Sequence, residues 1–303
     1  MGTYRPPAPH PTFPGISAER LSRHVYKLAE TIGERNVLRP RALQRAEDYV
    51  GQSWEALGYT VSPQAYTVQG VPCANLAVER RGAGAPSDVV VLGAHYDSVA
   101  GSPGANDNGS GVAALLELSR VFAGVQPYHT IRFVAFTNEE PPFFFTRRQG
   151  SDVYARAARR RGDRIQFMIA LETIGCFRSE SGTQSYPALL RHFFPPCGNF
   201  IACISNFRSL RMMRRFVTAF RAGSDFPIQY AALPALVPGV AWSDHLSFWR
   251  QGYRAMMLTD TAFYRYPYYH SAADTAEKLN YAEFARMTNG LVTALVLFDA
   301  QDL

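Results

Sequence analysis

The sequence predicts an α/β fold, a three-layer sandwich with a mostly parallel mixed central sheet flanked by helices. Three observations carry that expectation. Short apolar segments alternate with amphipathic helical ones along most of the chain, the pattern of strands joined by crossover helices. The apolar segments, of which IQFMIALETIG (165–175) is one, lack a polar face, as in a sheet covered on both sides. The chain also has 303 residues, 47% of them hydrophobic, enough to bury a large core.

The elements follow in order. After a Pro-rich arm at 1–15, residues 17–32 read as an amphipathic helix and 41–57 as a second, ended by Gly58. TVSPQAYTV (60–68) and NLAVER (75–80) read as strands, and 88–93 as a buried strand. A helix is expected over 111–122, with Val112, Leu115, Leu116 and Leu118 on its apolar side. IRFVAFT (131–137) is a strand, 150–161 a helix, and 165–175 a buried strand. FIACIS (200–205), a helix near 209–222, PIQYAAL (227–233), a helix near 244–250 and AMMLTD (255–260) continue the alternation. A helix over 281–297 closes the chain.

The formal net charge is +6, and arginine supplies nearly all of the positive charge: 29 arginines against Lys27 and Lys278. Two basic clusters stand out, at 147–164 and at Arg208, Arg211, Arg214 and Arg215, and Arg156, Arg160 and Arg164 are expected to share one helix face. The basic residues do not interleave with aromatics as a stacking platform requires, so they read as solvated surface and no nucleic-acid partner is expected. No apolar run is long enough to span a bilayer, and the N-terminus lacks an apolar signal core. Cys73, Cys176, Cys197 and Cys203 show no CxxC spacing and read as free thiols. No membrane partner and a cytoplasmic location are the resulting expectations.

In such sheets ligands gather at the carboxyl ends of the strands, and there this sequence concentrates its ionisable groups. One strand exit gives His95 and Asp97, then Asp107 in a Gly/Asn-rich loop. A second gives Asn138, Glu139 and Glu140, a third Glu172, and a fourth Asp260 followed by His270. Two imidazoles and several carboxylates with no cysteine pair suit a hard-to-borderline divalent metal, zinc above all. A carboxylate such as Asp107 has two oxygens with which to bridge two ions. The His-x-Asp spacing puts both side chains on one side of an extended backbone, so Asp97 can orient the His95 ring. Glu139 and Glu140, being adjacent, point apart, so one can be a ligand and the other a general base. Singly, each fragment has an ordinary reading as a surface pair, a solvated acid or a turn. A glutamate inside an apolar strand is the exception, because a buried carboxylate needs partners.

The motifs GAHYDS, GANDNGSG, FTNEEPPFF, ALETIG, SDHLSFW, LTDTAFYR and YHSAADT occur in that order. From about Asp88 onward the chain resembles the zinc aminopeptidase family with two co-catalytic metals, whose wider group includes glutamate carboxypeptidases and glutaminyl cyclases. The resemblance implies a single metallopeptidase domain over 1–303 and two zinc ions about 3.5 Å apart. His95 and Glu172 would hold one ion and Glu140 and His270 the other, with Asp107 bridging. It further implies Glu139 as general base, Asp97 as partner of His95, Ser243 as partner of His270, and a cis peptide at Asp107–Asn108. Many relatives carry aspartate where this chain has Glu172. Relatives with a tyrosine three residues before Ser-Asp-His use it at the oxyanion; here that position is Val240, and Tyr269 is the expected replacement.

The function expected is a metal-dependent exopeptidase, first of all an aminopeptidase acting on a peptide or aminoacyl substrate. Its rivals are a carboxypeptidase or glutaminyl cyclase on the same scaffold, or a binding protein with a decayed site. A carboxypeptidase needs a cationic clamp for the substrate carboxylate, and Arg265 is the nearest basic residue.

Overall fold

The computed structural model describes residues 13–187 and 190–300, so most of the expected Pro-rich arm lies outside the described residues. Among the described residues one sheet of eight strands forms: β1 (Ser62–Val68), β2 (Val71–Arg80), β3 (Ala85–His95), β4 (His129–Phe136), β5 (Arg164–Glu172), β6 (Ile201–Ser205), β7 (Ile228–Ala232) and β8 (Ala255–Thr259). Their order is β1-β2-β4-β3-β5-β8-β6-β7. The central run β4-β3-β5-β8 is parallel, β1, β2 and β4 pair antiparallel, and β6 joins β8 antiparallel. β1 and β2 form a hairpin whose two loop residues, Gln69 and Gly70, have positive φ (52° and 81°), the handedness that matches the strand twist.

Among the described residues seven α-helices cover the sheet: α1 (Ala18–Tyr26), α2 (Pro40–Glu55), α3 (Gly111–Ala123), α4 (Gly150–Arg161), α5 (Leu210–Gly223), α6 (His245–Arg250) and α7 (Tyr281–Asp299). The period-2 alternation of the strands divides the core in two. Val90 and Leu92 of β3, Ile131 and Phe133 of β4, and Phe167, Ile169 and Leu171 of β5 face α1, α2, α3, α5 and α7. Val89, Val91, Val134, Phe136, Met168 and Ala170 face α4 and α6 on the other side. Hence the strands read as continuous apolar runs, and the three layers follow.

Two local features aim the central strands. A Cβ at Gly93 would stand 2.3 Å from the Phe136 ring, so only glycine lets β3 pass it two residues before His95. A Cβ at Gly111 would meet Leu171 O at 2.5 Å, so glycine also lets the start of α3 close against β5. On the helical side, buried Glu117 of α3 accepts Arg20 of α1 at 2.9 Å and Arg120 at 2.9 Å.

The expected face of Arg156, Arg160 and Arg164 does not form. α4 stops at Arg161, Gly162 turns the chain with φ +77°, and Arg164 opens β5, where it pairs with Asp88 at 2.6 Å. Arg156 pairs with Asp152 one turn away at 2.7 Å. The four cysteines are free thiols. Among the described residues no helix is long and apolar enough to cross a membrane.

Candidate metal centre

His95 ends β3 opposite Phe136 of β4, and Glu172 ends β5 opposite Thr259 of β8. The four parallel strands therefore release their chains along one edge, and the loops beyond them converge. The chain bends sharply there: Asn138 (φ 57°), Thr173 (43°), Thr261 (82°) and His270 (55°) are non-glycine residues in the left-handed region. Each adjoins or is a residue named from the sequence, and each costs about 1–3 kcal/mol that the surrounding structure must offset.

The loop that carries Asp107 is fastened on every side. Asp274 accepts the N–H groups of Asn106 (2.8 Å) and Asp107 (3.1 Å) and the Tyr266 hydroxyl (2.7 Å). Asp260 accepts Asn106 Nδ2 and the N–H groups of Cys176 and Ala262, each at 2.9 Å. Asn108 donates to Leu171 O at 2.8 Å and accepts the N–H groups of Gly111 and Thr173 at 3.1 Å. With both neighbours committed to the scaffold, Asp107 turns inward; the peptide between Asp107 and Asn108 is cis.

Asp107 faces two imidazoles at once. Its Oδ1 lies 3.3 Å from His95 Nε2 and its Oδ2 3.1 Å from His270 Nε2. Glu172 Oε2 is 3.3 Å from His95 Nε2, and Glu140 Oε2 is 3.2 Å from His270 Nε2. Two triads result, His95–Asp107–Glu172 and His270–Asp107–Glu140, sharing one carboxylate. Glu139 stands apart, with Oε2 3.9 Å from His95 Nε2. Asp97 accepts the N–H groups of Glu139 and Glu140, both at 3.2 Å, and its Oδ1 lies 3.5 Å from His95 Nδ1.

The electrostatics are those of crowded, buried acids. Burial together with Glu172, Glu140 and Asp244 pushes Glu139 well above the usual carboxylate range, against the pull of His95. Burial and the Asp107 charge push Glu140 up to about 8. Burial would raise Asp107 as well, but the His270 and His95 imidazoles beside its two oxygens hold it low. Burial would lower both imidazoles; instead the carboxylates raise His95 well above its ordinary value and His270 to about 10.

The donor set fits divalent metal. His95 Nδ1 and Nε2 and Glu140 Oε1 are buried without a hydrogen-bond partner, a costly state that ligation or ring orientation would relieve. Ligating atoms of His95, Asp107 and Glu140 all lie within 4.8 Å of one another. A tetrahedral zinc with bonds near 2.0 Å holds its donors about 3.3 Å apart, the spacing seen here between each imidazole nitrogen and its two carboxylate oxygens. The triads describe the arrangement better than the mixed group of three, because the shortest contacts run within them.

Tyr269 stacks on His270, with ring centroids 3.9 Å apart and planes 14° from parallel. It lines an open cleft together with Glu172, and burial and the four surrounding carboxylates push its pKa up, keeping the hydroxyl protonated. The walls beyond are apolar and aromatic, Phe194, Ile204, Leu233, Trp242, Met257 and Phe263 among them.

Two expectations are corrected. Ser243 Oγ donates to Glu172 Oε2 at 2.7 Å, so it serves that triad and not His270. The longer glutamate brings its carboxylate within reach of this hydroxyl. Arg265 is buried behind the cleft, bonding Gln184 Oε1 (2.8 Å), Cys176 O (3.1 Å) and Phe200 O (2.8 Å) over the Phe200 ring, and is no substrate clamp. Sequence reasoning also passed over Asp274, Asp244 and Arg35. Asp274 sits within the YHSAADT motif and Asp244 within SDHLSFW, but their orientation toward the centre is a tertiary fact. Asp244 has both carboxylate oxygens buried without a hydrogen-bond partner, and burial pushes it up to about 7.

Residues 75–295 match peptidase family M28, and the chain belongs to that family of metallopeptidases. It is 35% identical over 288 residues to the Escherichia coli K12 protein YfbL, covering 92% of this chain and 88% of that one. It is 36% identical over 135 residues to leupeptin-inactivating enzyme 1 of Streptomyces exfoliatus, spanning only 31% of that protein's length. In fold it is similar to the zinc aminopeptidase BSAP of Bacillus subtilis, with a TM-score of 0.73 at 16% identity over 94% of this chain and 95% of that one. It is similar also to the glutaminyl cyclase of Fimbriiglobus ruber, with a TM-score of 0.69 at 18% identity over 99% and 100%.

Proposed function

We propose that this chain is an aminopeptidase with a centre for two zinc ions, removing apolar or aromatic residues from the N-terminus of peptides. The observation that carries the reading is Asp107, which offers one oxygen to each of two His–carboxylate sets. His95, Glu172 and Asp107 would hold one ion, and His270, Glu140 and Asp107 the other. When bound, the ions supply Lewis acidity to the substrate carbonyl and lower the pKa of the attacking water. Glu139 is the carboxylate left over. It takes the proton from the attacking water and returns it to the leaving amine. Asp97 holds the Glu139–Glu140 backbone and the His95 ring in place, and Tyr269 donates its hydroxyl to the carbonyl oxygen as negative charge develops there.

The direction of cleavage follows from charge. Among the described residues, the cleft wall contains Glu172 and no lysine or arginine. A substrate carboxylate would find no cationic partner there, whereas a free ammonium group would be held by the surrounding acids. The apolar walls then take the side chain of the N-terminal residue.

The reading is tested with aminoacyl p-nitroanilides and their N-acetylated counterparts, alongside zinc analysis of the purified protein. Turnover of the free-amine leucyl and phenylalanyl substrates, loss of turnover on acetylation, and two zinc equivalents are expected. Release of C-terminal residues, or cyclisation of N-terminal glutamine without hydrolysis, would overturn it.

A further inference from the structure

Arg35 lies between α1 and α2, outside the residues that match the family, yet its side chain reaches under the metal centre. It is fully buried and donates to carbonyl oxygens: Nε to Tyr96 (2.7 Å), Nη1 to Leu28 (3.4 Å), Gly33 (3.3 Å) and Pro103, and Nη2 to Gly104 (2.8 Å). The choice of carbonyls is informative. Tyr96 sits between His95 and Asp97, and Pro103 and Gly104 begin the turn into Asp107. One planar guanidinium therefore bridges both ends of the loop that runs from His95 to Asp107. The backbone adds to the clamp: Arg35 N–H donates to Ser98 Oγ at 3.1 Å, Ser98 N–H donates to Arg35 O at 3.0 Å, and Ser98 Oγ donates to Ser102 O at 2.9 Å. Gly104 has φ +62°, and a Cβ there would meet Asp107 O at 2.5 Å and Arg35 Nη2 at 3.2 Å, so the loop is built around the guanidinium.

A buried positive charge beside a cation site works against cation binding. Its presence calls for a function that outweighs this repulsion, and the rigid fork of donors provides one. We propose that Arg35 is a positioning residue for the metal centre: it fixes the Asp107 loop against the end of β3 so that Asp107 faces both imidazoles. This inference rests on the two-ion reading of the site.

The experiment uses the full chain and compares wild type with Arg35→Lys, Arg35→Met and Ser98→Ala. Metal-free protein is titrated with Zn²⁺ by calorimetry and with Co²⁺ by visible absorption, and kcat and KM are measured separately. Glu117→Gln, which disturbs the helix packing away from the centre, serves as the control for a purely structural effect. Arg35→Lys keeps the charge and loses the fork, so it should bind metal about ten- to a hundredfold more weakly, with an altered Co²⁺ spectrum and a lower kcat at similar KM. Arg35→Met should behave likewise, Ser98→Ala should show a smaller loss in the same direction, and Glu117→Gln should keep wild-type metal affinity. Wild-type metal binding by Arg35→Lys, or tighter binding by Arg35→Met, would overturn the proposal. Should the Arg35 variants not fold, unchanged metal affinity in Ser98→Ala would do so. Wild type that binds fewer than two metal equivalents would instead count against the two-ion reading itself.

Discussion

Replacing Glu139 by glutamine separates the roles of the two adjacent glutamates. The substitution keeps the shape of the side chain, and the backbone clamp from Asp97 to residues 139 and 140 remains. What disappears is a buried carboxylate that burial and its acidic neighbours hold well above the usual range. Three results follow. First, kcat should fall by about a hundredfold or more, the scale of general-base loss, equivalent to about 2.7 kcal/mol of barrier. Second, zinc content should stay near wild type, because Glu139 belongs to neither triad. Third, the metal-free protein should become more stable at neutral pH. A carboxyl whose folded pKa is raised contributes stability at low pH that is lost as pH rises above the ordinary carboxylate value. Glutamine removes that loss. Relief of about 1–3 kcal/mol corresponds to a rise in Tm of about 2–5 °C for a chain of this length. Steady-state kinetics, zinc analysis and thermal denaturation of the chelated protein read the three outcomes. Loss of zinc would make Glu139 a ligand, an unchanged kcat would remove it from the chemistry, and a lower apo Tm would refute the electrostatic argument.

Other expectations can be checked by similar means. Tyr269→Phe should lower kcat by about ten- to a thousandfold with KM little changed, since the hydroxyl bond strengthens in the transition state; an unchanged kcat would leave Tyr269 as a packing residue on His270. Ser243→Ala deprives Glu172 of a 2.7 Å hydrogen bond, so zinc affinity should fall about tenfold, while unaltered affinity would show that the hydroxyl does not orient Glu172. In the metal-free protein His270 is raised to about 10, so its contribution to stability is fully present below the ordinary value of 6.5 and is lost as pH rises through about 10. Denaturant unfolding of chelated protein from pH 6 to pH 10 should show that decline, and His270→Ala should flatten it.

The fold was legible because its determinants are local and periodic. Each central strand is an apolar run without a polar face, and each helix has an amphipathic stripe, so sandwich and element order could be read from sequence alone. The strand exits were legible for the same reason: His95, Glu139, Glu140 and Glu172 stand where apolar runs stop, a place where an ionisable group has an evident use. Arg164 is no helix residue because the four-residue spacing that groups it with Arg156 and Arg160 crosses Gly162, whose left-handed turn ends α4.

What sequence spacing could not specify was the direction of side chains far apart in the chain. Ser243 precedes Asp244-His245, and nothing in that local order shows that the approach of its loop to β5 brings it to Glu172 and not to His270. Arg265 is a free cation in the sequence and a buried one in the fold, where Gln184 and two carbonyls occupy it. Arg35, Asp244 and Asp274 carry no local signal of their roles, for their partners lie across the molecule and on other elements. The amino-acid sequence by itself determined which strands form, where they end and which acids and imidazoles stand at their ends, because those follow from hydrophobic periodicity and chain reversal. Only the tertiary structure decided that the two oxygens of Asp107 face different imidazoles and that a buried arginine holds the loop that aims them, because hydrogen-bond partners are chosen by proximity in space and not along the chain.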